Sequence, residues 1–172
     1  MDVVVIVLRL VHIIAGITWV GAAIFVFRFI EPTAKELGPK AEPFMTGLVE
    51  TRKMAAFFMI ASGLTVLAGT ALFWINSGGD PIGWITRDTT GLAFGLGGLS
   101  AWIAFIIGGV AIKPAVEEMA AAGAAAREAG GPPTAEVMAR IEAAQSRLAT
   151  LGKIDIVLIV FASVAMAVAR YL

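Results

Sequence analysis

His12 is the only histidine in the chain, and it stands well inside an uninterrupted apolar segment that runs from Val3 to roughly Ile30. At about 1.5 Å of rise per residue, a helix started at Val3 carries His12 about 14 Å along its axis, near the middle of a ~30 Å hydrocarbon core. An ionisable side chain at that depth is costly and marks a functional site by default. Neutral imidazole is a standard ligand of haem iron, copper and zinc. At about 100° per helical residue, Gly16, Trp19 and Ala23 fall within about 40° of His12, and Arg9 within about 60°. One face therefore reads Arg9–His12–Gly16–Trp19–Ala23. Such a face could hold a flat group such as a porphyrin edge, with His12 as axial ligand, Arg9 on a propionate or quinone oxygen, and Trp19 as a wall. The same small residues would equally admit a neighbouring helix, with His12 hydrogen-bonding across the interface.

Other residues narrow the chemistry. There is no cysteine, which excludes disulfides, thiolate metal sites, cysteine-ligated iron–sulfur clusters and covalently attached c-type haem. Zinc normally takes three or four protein ligands, and no second histidine exists to join His12. A second axial ligand to haem could come from Met59 or Met166, which lie within apolar segments, or from His12 of a second copy. A five-coordinate haem with an open position is the third arrangement. Asp155 reads as an interface residue beside Lys153 rather than as a member of a proton path. Phosphate-binding glycine loops, a nucleophile elbow and a catalytic carboxylate pair are absent, which argues against a hydrolase or an ATP-driven machine.

The elements that must position these residues are membrane spans. The chain has 172 residues, 59% hydrophobic and only 15% charged, with a mean hydropathy of +0.88. A soluble domain would carry about a quarter charged residues. Formal net charge is zero, so no nucleic-acid partner is implied. Four apolar segments, about 3–30, 54–75, 91–112 and 154–172, are each long enough to cross a bilayer as a helix. The first is too long for the apolar core of a signal peptide and reads as a retained span. Lys35, Lys40, Arg52 and Lys53 fall in the first connection, and Lys113, Arg127, Arg140, Arg147 and Lys153 in or beside the third. The second connection holds only Arg87, and its Trp84 suits a membrane interface. By the positive-inside rule both termini lie outside and connections one and three in the cytoplasm.

The third connection, about 114–152, reads as a cytoplasmic helical hairpin. Ala115–Ala129 has helical propensity, Gly130-Gly131-Pro132-Pro133 is a hard break, and Thr134 caps a second helix. Val137, Ile141, Ala144, Leu148 and Leu151 make one apolar stripe, with a Glu136–Arg140 pair on the exposed side. Gly91-x-x-x-Gly95 and Ala104-x-x-x-Gly108 allow close backbone approach, and Ser62, Thr65 and Gly69 share one face of the second span. Trp19 followed by Ile30-Glu31-Pro32 is echoed by Trp102 followed by Ile112-Lys113-Pro114, which suggests two helix pairs related about the membrane normal. The domain is a single one spanning residues 1–172.

The segment Leu10-Val-His12-Ile-Ile-Ala-Gly-Ile-Thr-Trp19-Val-Gly21, on through Arg28 and Pro32, resembles two related groups of small bacterial membrane proteins. One is the copper-resistance-D-like family, and the other is the small membrane protoporphyrinogen oxidase family. The stretch 51–69, with Arg52, Leu64-Thr65 and Gly69, is similar as well. The resemblance implies haem b ligation by His12, or copper handling. In the oxidase family a lysine of the third helix partners that histidine, whereas segment 91–112 here has neither lysine nor histidine. The expectation is thus an all-α, four-transmembrane-helix bundle that binds haem b or takes part in redox chemistry. Its site would comprise His12, Arg9, Gly16 and Trp19. The alternatives are a copper-handling protein, and an accessory subunit that acts as a homodimer or within a larger membrane complex.

Overall fold

The computed structural model describes residues 2–128 and 134–172, and no strand occurs among them. Helix α1 runs through Val3–Phe25, a π-helical turn at Val26–Ile30, and Glu31–Leu37. Short helical turns at Gly38–Ala41, Glu42–Thr46 and Gly47–Thr51 lead into α2, Met54–Asn76. The small helix α3, Pro81–Arg87, precedes α4, which comprises Thr89–Ile107, a π-helical turn at Gly108–Ile112, and Lys113–Glu128. Helix α5 is one piece, Ala135–Ala169. Four of these, α1, α2, α4 and α5, are long and apolar enough to cross a membrane. The chain is a multi-pass membrane protein folded as an all-α four-helix bundle, in the ring order α1, α2, α4, α5. At the end where α1 and α4 begin, Thr89 Oγ1 donates to the Leu172 carbonyl at 3.0 Å.

The apolar spans 3–30 and 91–112 are parts of longer helices. Both helices continue through Pro32 and Pro114. A proline inside a helix has no N–H and its ring clashes with the carbonyl one turn back. The π-helical turns absorb this: the Glu31 N–H bonds the Val26 carbonyl and the Lys113 N–H bonds the Gly108 carbonyl, one residue farther than an α-helix reaches. In both halves the wide turn ends two residues before the proline, so the echo seen in sequence corresponds to the same backbone device.

Beyond Pro114, α4 pairs with the first half of α5 as a hairpin. Ala115, Ala122 and Ala144 are buried, and small side chains there let the two backbones approach. Thr134 caps α5 by accepting the Val137 N–H. Arg140 reaches across the hairpin to Glu118, at 3.3 Å, where the sequence suggested Glu136 one turn away on its own helix. The Gly130–Pro133 break lies outside the described residues.

The core of the membrane part is Trp19 and Ala23 of α1, Ala61 and Val66 of α2, Ala101 and Ala104 of α4, and Ile159 and Ala162 of α5. Alanine dominates it because lipid tails compete for large apolar side chains and only close backbone approach favours helix over lipid. Gly97 makes the closest approach between α4 and α5: a Cβ there would meet the Ala162 carbonyl oxygen and Met166 Cγ at 3.2 Å, and Ala165 Cβ at 3.3 Å. Gly91 and Gly95 instead receive Trp84 and Ile85 of α3. That small helix folds back on the bundle, with the Trp84 ring 5.3 Å from Phe73 and 5.9 Å from Phe94. Asp80 caps its start and pairs with Arg87 at its end.

Asp88 closes this corner, accepting the Thr90 N–H at 2.8 Å and the Trp84 indole N–H at 3.1 Å. The Thr90 backbone bond first, and the Trp84 bond second, hold its carboxyl below the ordinary value. A carboxylate lowered by folding stabilises above its unfolded value and loses that contribution as pH falls through the folded one.

Two outcomes follow from the packing. Gly97→Leu is expected to lower the thermal midpoint in detergent, at a cost of ~1–3 kcal/mol for overpacking, while Gly98→Leu leaves it nearly unchanged because open space surrounds that position. Equal midpoints for the two variants would sink the packing assignment. On acidification below about pH 4, the Trp84 indole N–H NMR resonance should move to the position that Asp88→Ala shows at every pH. A resonance that does not titrate would mean that Asp88 does not hold the corner.

Candidate functional site

His12 lies on the seam between α1 and α2, half-buried, with its Nδ1 2.7 Å from the Thr65 carbonyl oxygen. A carbonyl can only accept, so Nδ1 carries the proton and donates it. In the neutral ring Nε2 is then left with its lone pair, which is the nitrogen a metal would take. A backbone carbonyl on the other ring nitrogen is the usual orienting partner of a metal-bound histidine.

Gly69 explains how the imidazole reaches a carbonyl inside a helix. In an α-helix the carbonyl of Thr65 points toward the residue four positions on, and a side chain at position 69 would overhang it. A Cβ on Gly69 would lie 2.7 Å from His12 Cε1 and 2.9 Å from Nδ1. The ring therefore occupies the place a side chain would fill. Thr65 turns its own hydroxyl back to the Ala61 carbonyl at 2.7 Å, and Ser62 does the same to Phe58, so neither competes for the histidine. Gly16 packs alongside, where its Cβ would touch Thr65 Cγ2 at 3.5 Å.

The four residues of the expected face have different fates. His12 and Gly16 both meet α2. Trp19 is 5% exposed and fills the centre of the bundle beside Ala23, so it wedges the helices apart rather than walling a pocket at His12. Arg9 is exposed one turn toward the start of α1, with no hydrogen bond or ion pair among the described residues. Arg28 lies over the Phe29 ring, 5.7 Å from its centroid. Beyond Gly16, an open apolar groove of about 310 Å³ is lined by Gly16, Ile17, Val20, Gly21 and Ser163, between α1 and α5. Its one hydroxyl, on Ser163, is spent on the Ile159 carbonyl.

Neither methionine considered as a second ligand is at this seam. Met59 approaches Gly109 of α4 from the other end of α2, and Met166 packs on Gly97 between α4 and α5. Among the described residues no group of three or more histidine and acidic side chains could hold a metal by itself. The roles of the Thr65 carbonyl and of Gly69 were missed in the sequence, where both carried only a packing signal. Asp155 departs from expectation too: it is 5% exposed, and its Oδ1 has no hydrogen-bond partner.

Because the chain has a single histidine, ¹⁵N labelling of that residue type reports one ring without ambiguity. The spectrum should show a protonated, hydrogen-bonded Nδ1 and a bare Nε2. Gly69→Ala should shift it by displacing the ring, whereas Thr65→Ala should not, because the acceptor is backbone. A wild-type ring protonated on Nε2 would overturn the assignment. Compared with known proteins, the chain matches no family model, no curated protein and no solved structure.

Proposed function

We propose that this is a small b-type haem-binding, redox-linked protein of a bacterial inner membrane, with His12 Nε2 as the axial ligand. The observation that carries this reading is the Nδ1–H bond to the Thr65 carbonyl, which orients the ring and leaves the ligating nitrogen bare. Bound haem would supply one-electron exchange. His12 holds its ring in one orientation against Gly69. Arg9, exposed and unpaired among the described residues, would offer a guanidinium to an anionic group such as a propionate. An open apolar groove lies beside Gly16. His12 would be the residue that holds the group, through Nε2. The likeness of segment 10–32 to the small oxidase and copper-resistance-D-like families supports the same role for His12.

The distribution of lysine and arginine supports an orientation with the hairpin in the cytoplasm and both termini outside. Lys35, Lys40, Arg52, Lys53, Arg140, Arg147 and Lys153 all belong to connections at the hairpin end. Copper held by His12 is the second reading, favoured by the same bare nitrogen.

The test is the absorbance spectrum of the protein purified in mild detergent, oxidised and dithionite-reduced, beside His12→Ala. A Soret band should be present in the wild type and lost completely in the variant. Arg9→Gln should keep the band and weaken haem retention by a few-fold at most, since an exposed ion pair contributes ~0.2–1 kcal/mol. A wild type that stays colourless after haem is supplied defeats the haem reading. Stoichiometric copper lost in His12→Ala would then establish the second, and a co-purifying partner without either cofactor would indicate an accessory subunit.

A further inference from the structure

Asp155 is the only acidic residue in the four apolar segments. It belongs to the buried stripe of α5 with Gly152, Ile159 and Ala162, which the assembled bundle turns toward the core. The register of the α4–α5 seam is set by Ser100 Oγ, which donates to the Leu158 carbonyl at 2.9 Å. One turn along α4 from Ser100, that register brings the fully buried Ala104 level with Asp155. From α1, the Phe27 ring lies directly on Gly152, one turn nearer the hairpin.

No compensating charge comes to it. The charged groups on the elements packed against this stretch are Arg28 and Glu31 of α1, Lys113, Glu117 and Glu118 of α4, and Lys153 on α5 itself. Arg28 is over Phe29, Lys113 pairs with Glu117 at 3.2 Å, Glu118 pairs with Arg140, and Lys153 is exposed. None of them bonds Asp155, and its Oδ1 has no donor of any kind among the described residues. A bare carboxylate in that setting is strongly unfavourable, so a cation must accompany it. A metal ion of the hard class takes about six or more oxygen ligands, and the described residues gather no such cluster. A proton needs only the carboxylate.

We propose that Asp155 is a proton-binding site at the hairpin end of the bundle. The carboxylate takes one proton from interfacial water to give the neutral acid, and returns the same proton to water. Phe27, seated in the π-helical turn of α1, lies on Gly152 one turn from the site. The site stands apart from His12, so a colourless protein would leave this inference untouched.

The test is an infrared difference spectrum, acid minus alkaline, of the full chain in phospholipid nanodiscs, in H₂O and in D₂O. The wild type should show a protonated-carboxyl C=O band that shifts in D₂O and is lost in Asp155→Asn, with helix content and monodispersity retained. As a check that does not depend on a folded variant, dicyclohexylcarbodiimide, which adds to protonated carboxyls in apolar surroundings, should label the wild type preferentially at Asp155 by peptide mass spectrometry. A band that survives in Asp155→Asn, or labelling confined to exposed acids such as Glu117 and Glu118, would overturn the proposal.

Discussion

In a bilayer the apolar faces of these helices gain little from one another that lipid would not also offer, so association depends on close backbone approach and on the few polar groups that cross a seam. Three of the four seams carry one such hydrogen bond. His12 joins α1 to the Thr65 carbonyl of α2, Trp102 Nε1 joins α4 to Thr70 of α2 at 3.0 Å, and Ser100 joins α4 to α5. The fourth seam, α5 to α1, is closed by the Phe27 ring on Gly152. Between these points the buried core is mostly alanine, with Trp19, Val66 and Ile159 as its larger side chains. Each bond is modest in energy, of order 0.6 kcal/mol in membrane proteins. Its larger effect is on register, because an unpaired polar group facing hydrocarbon disfavours every slipped arrangement.

The two prolines serve continuity rather than termination. By widening one turn ahead of Pro32 and Pro114, α1 and α4 leave the apolar zone without breaking, and α4 continues as half of the hairpin. Phe27, within the turn at Val26–Ile30, lies on Gly152 of α5.

His12 makes a structural bond that also fixes the orientation of its ring, and the two effects share a cause. A glycine on α2 opens a helix carbonyl sideways, the imidazole fills the opening, and the bond that pins the helices also selects the tautomer. Removing the glycine would disturb packing and chemistry together. Arg9, exposed and one turn away, makes no hydrogen bond or ion pair among the described residues.

Composition and hydropathy alone determined the number of spans and the all-helical class, because the length of an apolar run and a helix's fixed rise convert directly into membrane-crossing length. They also marked the hairpin, through the Thr134 cap and the apolar stripe of Val137 to Leu151. Periodicity gives the angle of each residue about its own helix axis and says nothing of which neighbour lies there. Only the tertiary structure decided that His12 meets Thr65 and Gly69, that Trp19 turns into the core, and that Gly97 rather than Gly91 and Gly95 makes the α4–α5 contact. The same holds for Asp155, whose sequence neighbour Lys153 suggested an exposed interface. Burial of that carboxyl depends on the rotation of α5 against α4 and α1, a property of the assembled bundle that no single helix encodes.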